Sequence, residues 1–90
     1  SWPSSTSIAL KTGWNLVGYP GQTTKTVADA FTSIAGKYTK VYTYLAFDDA
    51  DPWKVYDVTL PPFLHDLTQI QAGRAYWIWV TQDCTLTVTN

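Results

Sequence analysis

Ala75-Tyr76-Trp77-Ile78-Trp79-Val80 is the longest unbroken apolar run in the chain, and every residue after Ala75 is aromatic or β-branched. Six residues are too few to cross a membrane as a helix, so the run predicts a strand. A period of two puts Tyr76, Ile78 and Val80 on one face and Ala75, Trp77 and Trp79 on the other. Both faces are apolar. Either the strand is central and covered on both sides, or one face holds two indoles within reach of solvent.

Ninety residues bound the chain to one domain with a modest core. Five Trp, six Tyr and three Phe supply much of what can be buried, while Glu and Met are absent. Abundant Thr and scarce helix formers tilt the chain towards β. A net charge of −1 with scattered basic residues leaves no footprint for nucleic acid or an anionic membrane surface. The single cysteine, Cys84, excludes an internal disulfide and a multi-thiolate metal site. Ser1 to Ser7 has the composition of a Ser/Pro linker, with Trp2 in the linker or against a neighbouring domain, so the division is 1–7 linker and 8–90 module.

Outward from the central run, residues 8–11 alternate as a half-buried strand, and Thr12-Gly13 reads as a hairpin-type break or as a bulge with its Gly. Residues 14–19 form the next strand, with Trp14 and Leu16 on one face. Thr26 predicts a helix cap, and Val27, Ala30, Phe31 and Ile34 give a short helix over about 27–35 its apolar stripe, stopped by Gly36. Residues 40–47 form a third strand with Val41, Leu45 and Phe47 on one face and Tyr42 and Tyr44 on the other. Asp48 to Pro52 is a turn by composition, and 53–58 pairs back as a hairpin. Pro61-Pro62 forces an irregular stretch, beyond which Leu67 and Ile70 tuck in. After the central run, Gln82-Asp83 turns the chain into a closing strand with Cys84, Leu86 and Val88 inward. The sum is a mainly β chain: a small six-stranded antiparallel barrel or sandwich with one helix inserted after the second strand.

Gly13-Trp14-Asn15-Leu16-Val17-Gly18-Tyr19-Pro20, the pair Val41-Tyr42-Thr43-Tyr44 and Trp53-Lys54-Val55-Tyr56, and Leu67 to Ile78 with its Gly73-Arg74-Ala75-Tyr76-Trp77-Ile78 ending together resemble a small module that recurs in large bacterial extracellular proteins. The resemblance runs from about Ile8 to Val88; the module usually has Gly where this chain has Ala75. It implies an accessory module of a secreted or cell-surface protein, and it carries over no catalytic residues.

The aromatic excess is the strongest functional signal. Sugars stack their C–H faces on Trp and Tyr, so exposed, coplanar rings suit a glycan platform. Trp53, Tyr56, Tyr44, Tyr42 and Trp79 are the candidates, with Tyr42 and Tyr44 facing Tyr56 across the hairpin. Trp14, Trp77, Tyr76 and Phe31 are expected in the core; for Trp53 and Trp79 both readings stand. Asp48, Asp49 and Asp51 offer hard oxygens to Ca²⁺, but their spacing matches no EF-hand and turn acids explain them. His65-Asp66 has no poised nucleophile beside it, since Cys84 reads as a buried small hydrophobe and His65 as a solvated loop residue. No arrangement supplies nucleophile, base and orienter together, so no enzymatic activity and no cofactor are expected. The expected role is a monomeric, extracellular, non-catalytic carbohydrate-binding module, with polysaccharide or neighbouring domains as partners. A structural spacer or protein-interaction module is the alternative.

Overall fold

In the computed structural model, which describes residues 4–89, the chain is mainly β, with antiparallel strands throughout. Eight strands run in order: β1 (Ser5–Leu10), β2 (Gly13–Gly18), the short β3 (Lys25–Thr26), β4 (Tyr38–Tyr44), β5 (Trp53–Asp57), the short β6 (Gln69–Ile70), β7 (Ala75–Val80) and β8 (Cys84–Thr89). β7 is interior to a four-stranded sheet of order β2-β7-β4-β5; β1 pairs with β8, and β3 with β6. The barrel does not close, and the arrangement is sandwich-like. β1 begins at Ser5, inside the stretch whose composition suggests a linker, and Ser5, Thr6 and Ser7 pair with Thr89, Val88 and Thr87. The reading of Trp2 lies outside the described residues.

Thr12-Gly13 is a corner and not a hairpin. Leu10 stands opposite Cys84 in one sheet and Gly13 opposite Val80 in the next, so β1-β2 and β7-β8 are two long arms of one ribbon that bends between sheets. Asp83 ties the bend: its Oδ1 accepts from the Thr12 backbone N–H at 2.9 Å and from the Thr12 hydroxyl at 3.0 Å. The corner also reverses parity. Before it the even-numbered Ile8 and Leu10 face the core; after it the odd-numbered Val17 and Tyr19 do. Trp14 and Leu16 are therefore turned outward, which corrects the core placement of Trp14.

Thr26 caps the helix as expected, its Oγ1 accepting from the Asp29 N–H at 3.2 Å. The helix α1 (Val27–Ala30) is only four residues long, and a 3-10 turn at Thr32–Ile34 completes the segment. The Thr32 hydroxyl donates to the carbonyls of Ala28 and Asp29, competing with the regular ladder. Val27, Ala30, Phe31 and Ile34 are nonetheless all buried, so the predicted stripe holds although the helix breaks.

On β7, Tyr76, Ile78 and Val80 are sealed in the core, with Val17, Val41, Leu86, Val88, Leu67 and Ile70 around them. β4 starts earlier than expected. A register shift between Tyr38 and Lys40 lets both Tyr38 and Val41 point inward, three positions apart. β4 also ends at Tyr44, so Phe47 does not share the core face of Val41. It lies exposed in the following turn.

Candidate functional site

The outward face of the four-stranded sheet follows directly from the register. One row runs Trp14, Trp79, Lys40, Asp57; the next runs Leu16, Trp77, Tyr42, Val55; Tyr44 stands opposite Trp53 beyond it. Exposures of 44% for Trp14, 59% for Leu16, 55% for Tyr44, 46% for Trp53 and 39% for Trp77 make this a contiguous apolar surface rather than scattered single residues. Trp77, like Trp14, was expected in the core and is not. Tyr76 and Phe31 are there, as expected.

Of the five candidates, Tyr42, Tyr44, Trp53 and Trp79 share this face. Tyr56 does not. Its partner in the ladder is Val41, whose side chain is fully buried, so Tyr56 turns inward, 6.3 Å from the Tyr38 ring and 4.6 Å from His65. The cross-strand patch of Tyr42, Tyr44 and Tyr56 is thus corrected: Val55 occupies the position facing Tyr42, and Trp14 and Trp77 supply the missing rings. Alternation from Trp53 along β5 carried the signal for this, because Trp53 and Tyr56 differ in parity.

Trp14, Tyr42, Trp53 and Trp77 line an open cleft of about 310 Å³. The Trp14 and Tyr42 rings meet over the intervening β7 at 5.1 Å, and Trp14 meets Trp79 edge-on at 5.3 Å. Tyr44 and Trp53 pair edge-on at 5.1 Å. The interplanar angles of 52°, 76° and 69° are those of tilted and T-shaped contacts, so these pairs are not the coplanar platform expected. The Lys40 ammonium sits 5.7 Å from the Trp79 ring centroid, within cation–π range.

A second cleft, of about 180 Å³, adjoins the first through Trp77 and is also lined by Leu16, Thr43, Tyr44, Leu45, Arg74 and Ala75. Thr43 is buried and its hydroxyl donates to the Ala75 carbonyl at 2.8 Å. Arg74 was not among the sequence candidates; only its place just before the central strand hinted at a position on the rim.

The remaining constellations have structural partners. Asp48 Oδ2 lies 2.9 Å from the Lys54 ammonium and Asp51 Oδ2 lies 3.5 Å from it, while Asp48 Oδ1 accepts from the Asp51 N–H at 3.1 Å. The hydrogen bond from Lys54 is the main reason the Asp48 carboxyl is held below its usual range. The cation beside these acids is thus a lysine, and among the described residues no group of three or more His, Cys, Asp or Glu side chains is placed to hold a metal. Asp49 is exposed in the same turn. His65 is half-buried rather than solvated: its Nε2 donates to the Asp57 carbonyl at 2.6 Å. Asp66 points elsewhere, Oδ1 accepting from the Val55 N–H at 2.6 Å and so covering the free edge of β5. Cys84 is partly buried against the core, opposite Leu10.

Among the described residues no helix is long and apolar enough to cross a membrane. Compared with protein-family models, curated proteins and solved structures, the chain matches none of them significantly.

Proposed function

We propose that this chain is a non-catalytic module of a secreted bacterial protein that binds polysaccharide on the outer face of its four-stranded sheet. The observation that carries the reading is the open cleft with walls made by Trp14, Tyr42, Trp53 and Trp77. Sugar C–H faces stack on such rings, and indole N–H and phenol O–H groups remain to bond hydroxyls. Rings inclined to one another suit a single chain lying in a cleft better than the flat surface of a crystalline polymer. Soluble oligosaccharides are therefore the ligands expected to bind best.

Affinity-gel electrophoresis and calorimetry over a panel of soluble and insoluble glycans test this. Binding by at least one soluble glycan is expected. Trp53→Ala and Trp77→Ala should each weaken it by about tenfold or more, the scale of an aromatic anchor in a buried contact. Phe63→Ala, on an exposed residue away from the sheet face, should leave it unchanged. Absence of binding across the panel, or unaltered binding by both tryptophan variants, would remove the reading.

A protein-docking or spacer role is the second reading, and Leu16 favours it. An aliphatic side chain so exposed among aromatic residues offers nothing to a sugar hydroxyl but much to an apolar partner surface. In that case the accessible indoles become shielded from acrylamide when the chain is joined to its neighbouring domains, and no glycan produces the same shielding.

A further inference from the structure

We infer that the polysaccharide carries carboxylates, and that Arg74 receives one of them while the sugar ring lies against Trp77 and Tyr44. This rests on the glycan-binding reading of the same face. Arg74 stands in the smaller cleft, which shares Trp77 with the aromatic one. The side chain is already held in place. Its Nε donates to Gln71 Oε1 at 2.9 Å, its guanidinium carbon lies 5.6 Å from the Phe47 ring centroid, and its backbone is anchored by the Tyr19 N–H on its carbonyl. An arginine so fixed loses little further freedom when it binds.

It is also uncompensated. The ion pairs among the described residues involve Lys11 and Lys54, not Arg74, and no acidic side chain lines the cleft it shares with Trp77. Asp66 lines the neighbouring polar groove, which shares Thr43, Leu45 and Arg74 with this cleft, and one of its oxygens is already committed to the Val55 N–H. By contrast, Lys40, the other cation of this face, stands opposite the buried Asp57 in the ladder. With its Nε engaged, the guanidinium still presents its terminal nitrogens, the fork that matches the two oxygens of a carboxylate. A flat apolar wall beside a fixed, unpaired guanidinium fits a uronic acid residue, whose pyranose ring and carboxylate are one bond apart.

The test is calorimetry with acidic oligosaccharides (oligogalacturonate, oligomannuronate and hyaluronan fragments) beside their methyl esters, which keep the ring and lose the charge. At least one acid form is expected to bind about tenfold or more tighter than its ester, the scale of a charged hydrogen bond. Arg74→Gln should remove most of that difference, weakening the acid far more than the ester, with the circular dichroism spectrum unchanged. Arg74→Lys should restore only part of it, because a point charge lacks the fork. Trp77→Ala should weaken acid and ester together. Equal binding of acid and ester, or a difference that survives undiminished in Arg74→Gln, overturns the inference and leaves the glycan reading standing. A wild-type chain that binds none of these acids or esters overturns the inference, and the glycan reading falls with it only when the wider panel of soluble and insoluble glycans also fails to bind.

Discussion

Tyr19 and Tyr76 are neighbours in the core, their rings edge-on at 6.4 Å, and each is almost wholly buried. Burial is the main cause holding both phenols above their ordinary pKa of 10. They differ in what their hydroxyls touch. The Tyr76 oxygen accepts from the Gln71 N–H at 2.8 Å, whereas the Tyr19 hydroxyl is buried with no hydrogen-bond partner. Removing the same oxygen from each ring should therefore have opposite effects. Tyr76→Phe strands the Gln71 N–H and should cost about 1–2 kcal/mol, the lower part of the usual range because Gln71 is only half-buried. Tyr19→Phe removes a desolvated, unpaired hydroxyl and should be neutral or stabilising by up to about 1 kcal/mol. A domain of this size shifts its melting point by roughly 4–8 °C per kcal/mol, so the two variants should differ by about 10 °C. Thermal unfolding followed by far-ultraviolet circular dichroism measures the shift, with urea titration as a second axis. Melting points within about 2 °C of each other, or in reversed order, would refute the argument that hydrogen-bond partnership decides the sign.

Four further outcomes are expected. Tyr38 is pushed up to about 12, first by burial and then by Tyr56 beside it, and with Tyr19 and Tyr76 also raised the unfolded chain loses phenolic protons first. Stability should then fall as pH rises above about 10, because the folded state holds more protons there, and urea midpoints between about pH 9 and 12 would expose a flat response. In acid the sign reverses: Asp48 is lowered chiefly by Lys54, Asp57 by the Thr59 hydroxyl and Asp83 by the Thr12 N–H, so stability should fall as pH drops below about 4, and less steeply in Asp83→Asn. Gly21→Ala would set a Cβ 2.5 Å from a ring carbon of the buried Tyr19 and should cost about 1–3 kcal/mol in a chemical-denaturation titration, an unchanged midpoint counting against the close approach. Ile78→Ala, at the centre of β7, should cost about 2–5 kcal/mol, while Phe63→Ser, 84% exposed, should stay within about 0.5 kcal/mol.

The composition of β7 and its period of two were enough to place Tyr76, Ile78 and Val80 together, and to pose the question of what covers Trp77 and Trp79. The helix cap at Thr26, the buried stripe from Val27 to Ile34 and the tucked Leu67 and Ile70 were equally legible, because each depends on residues close in sequence. Which face of β2 and of β5 meets the core was not. Local alternation assigns residues to two faces without saying which is inside, and Trp14 with Leu16 is the more apolar pair of β2 yet faces outward. The ribbon's corner at Thr12-Gly13 and the register shift beside Thr39 decide that, and both arise from pairing between segments distant in the chain. The same long-range pairing turns Tyr56 away from Tyr42 and carries Arg74 to the end of the aromatic row. Chemistry along the chain thus determined that rings are in surplus; tertiary register, by committing one face of a twisted sheet to a small core, decided which rings were left for a partner.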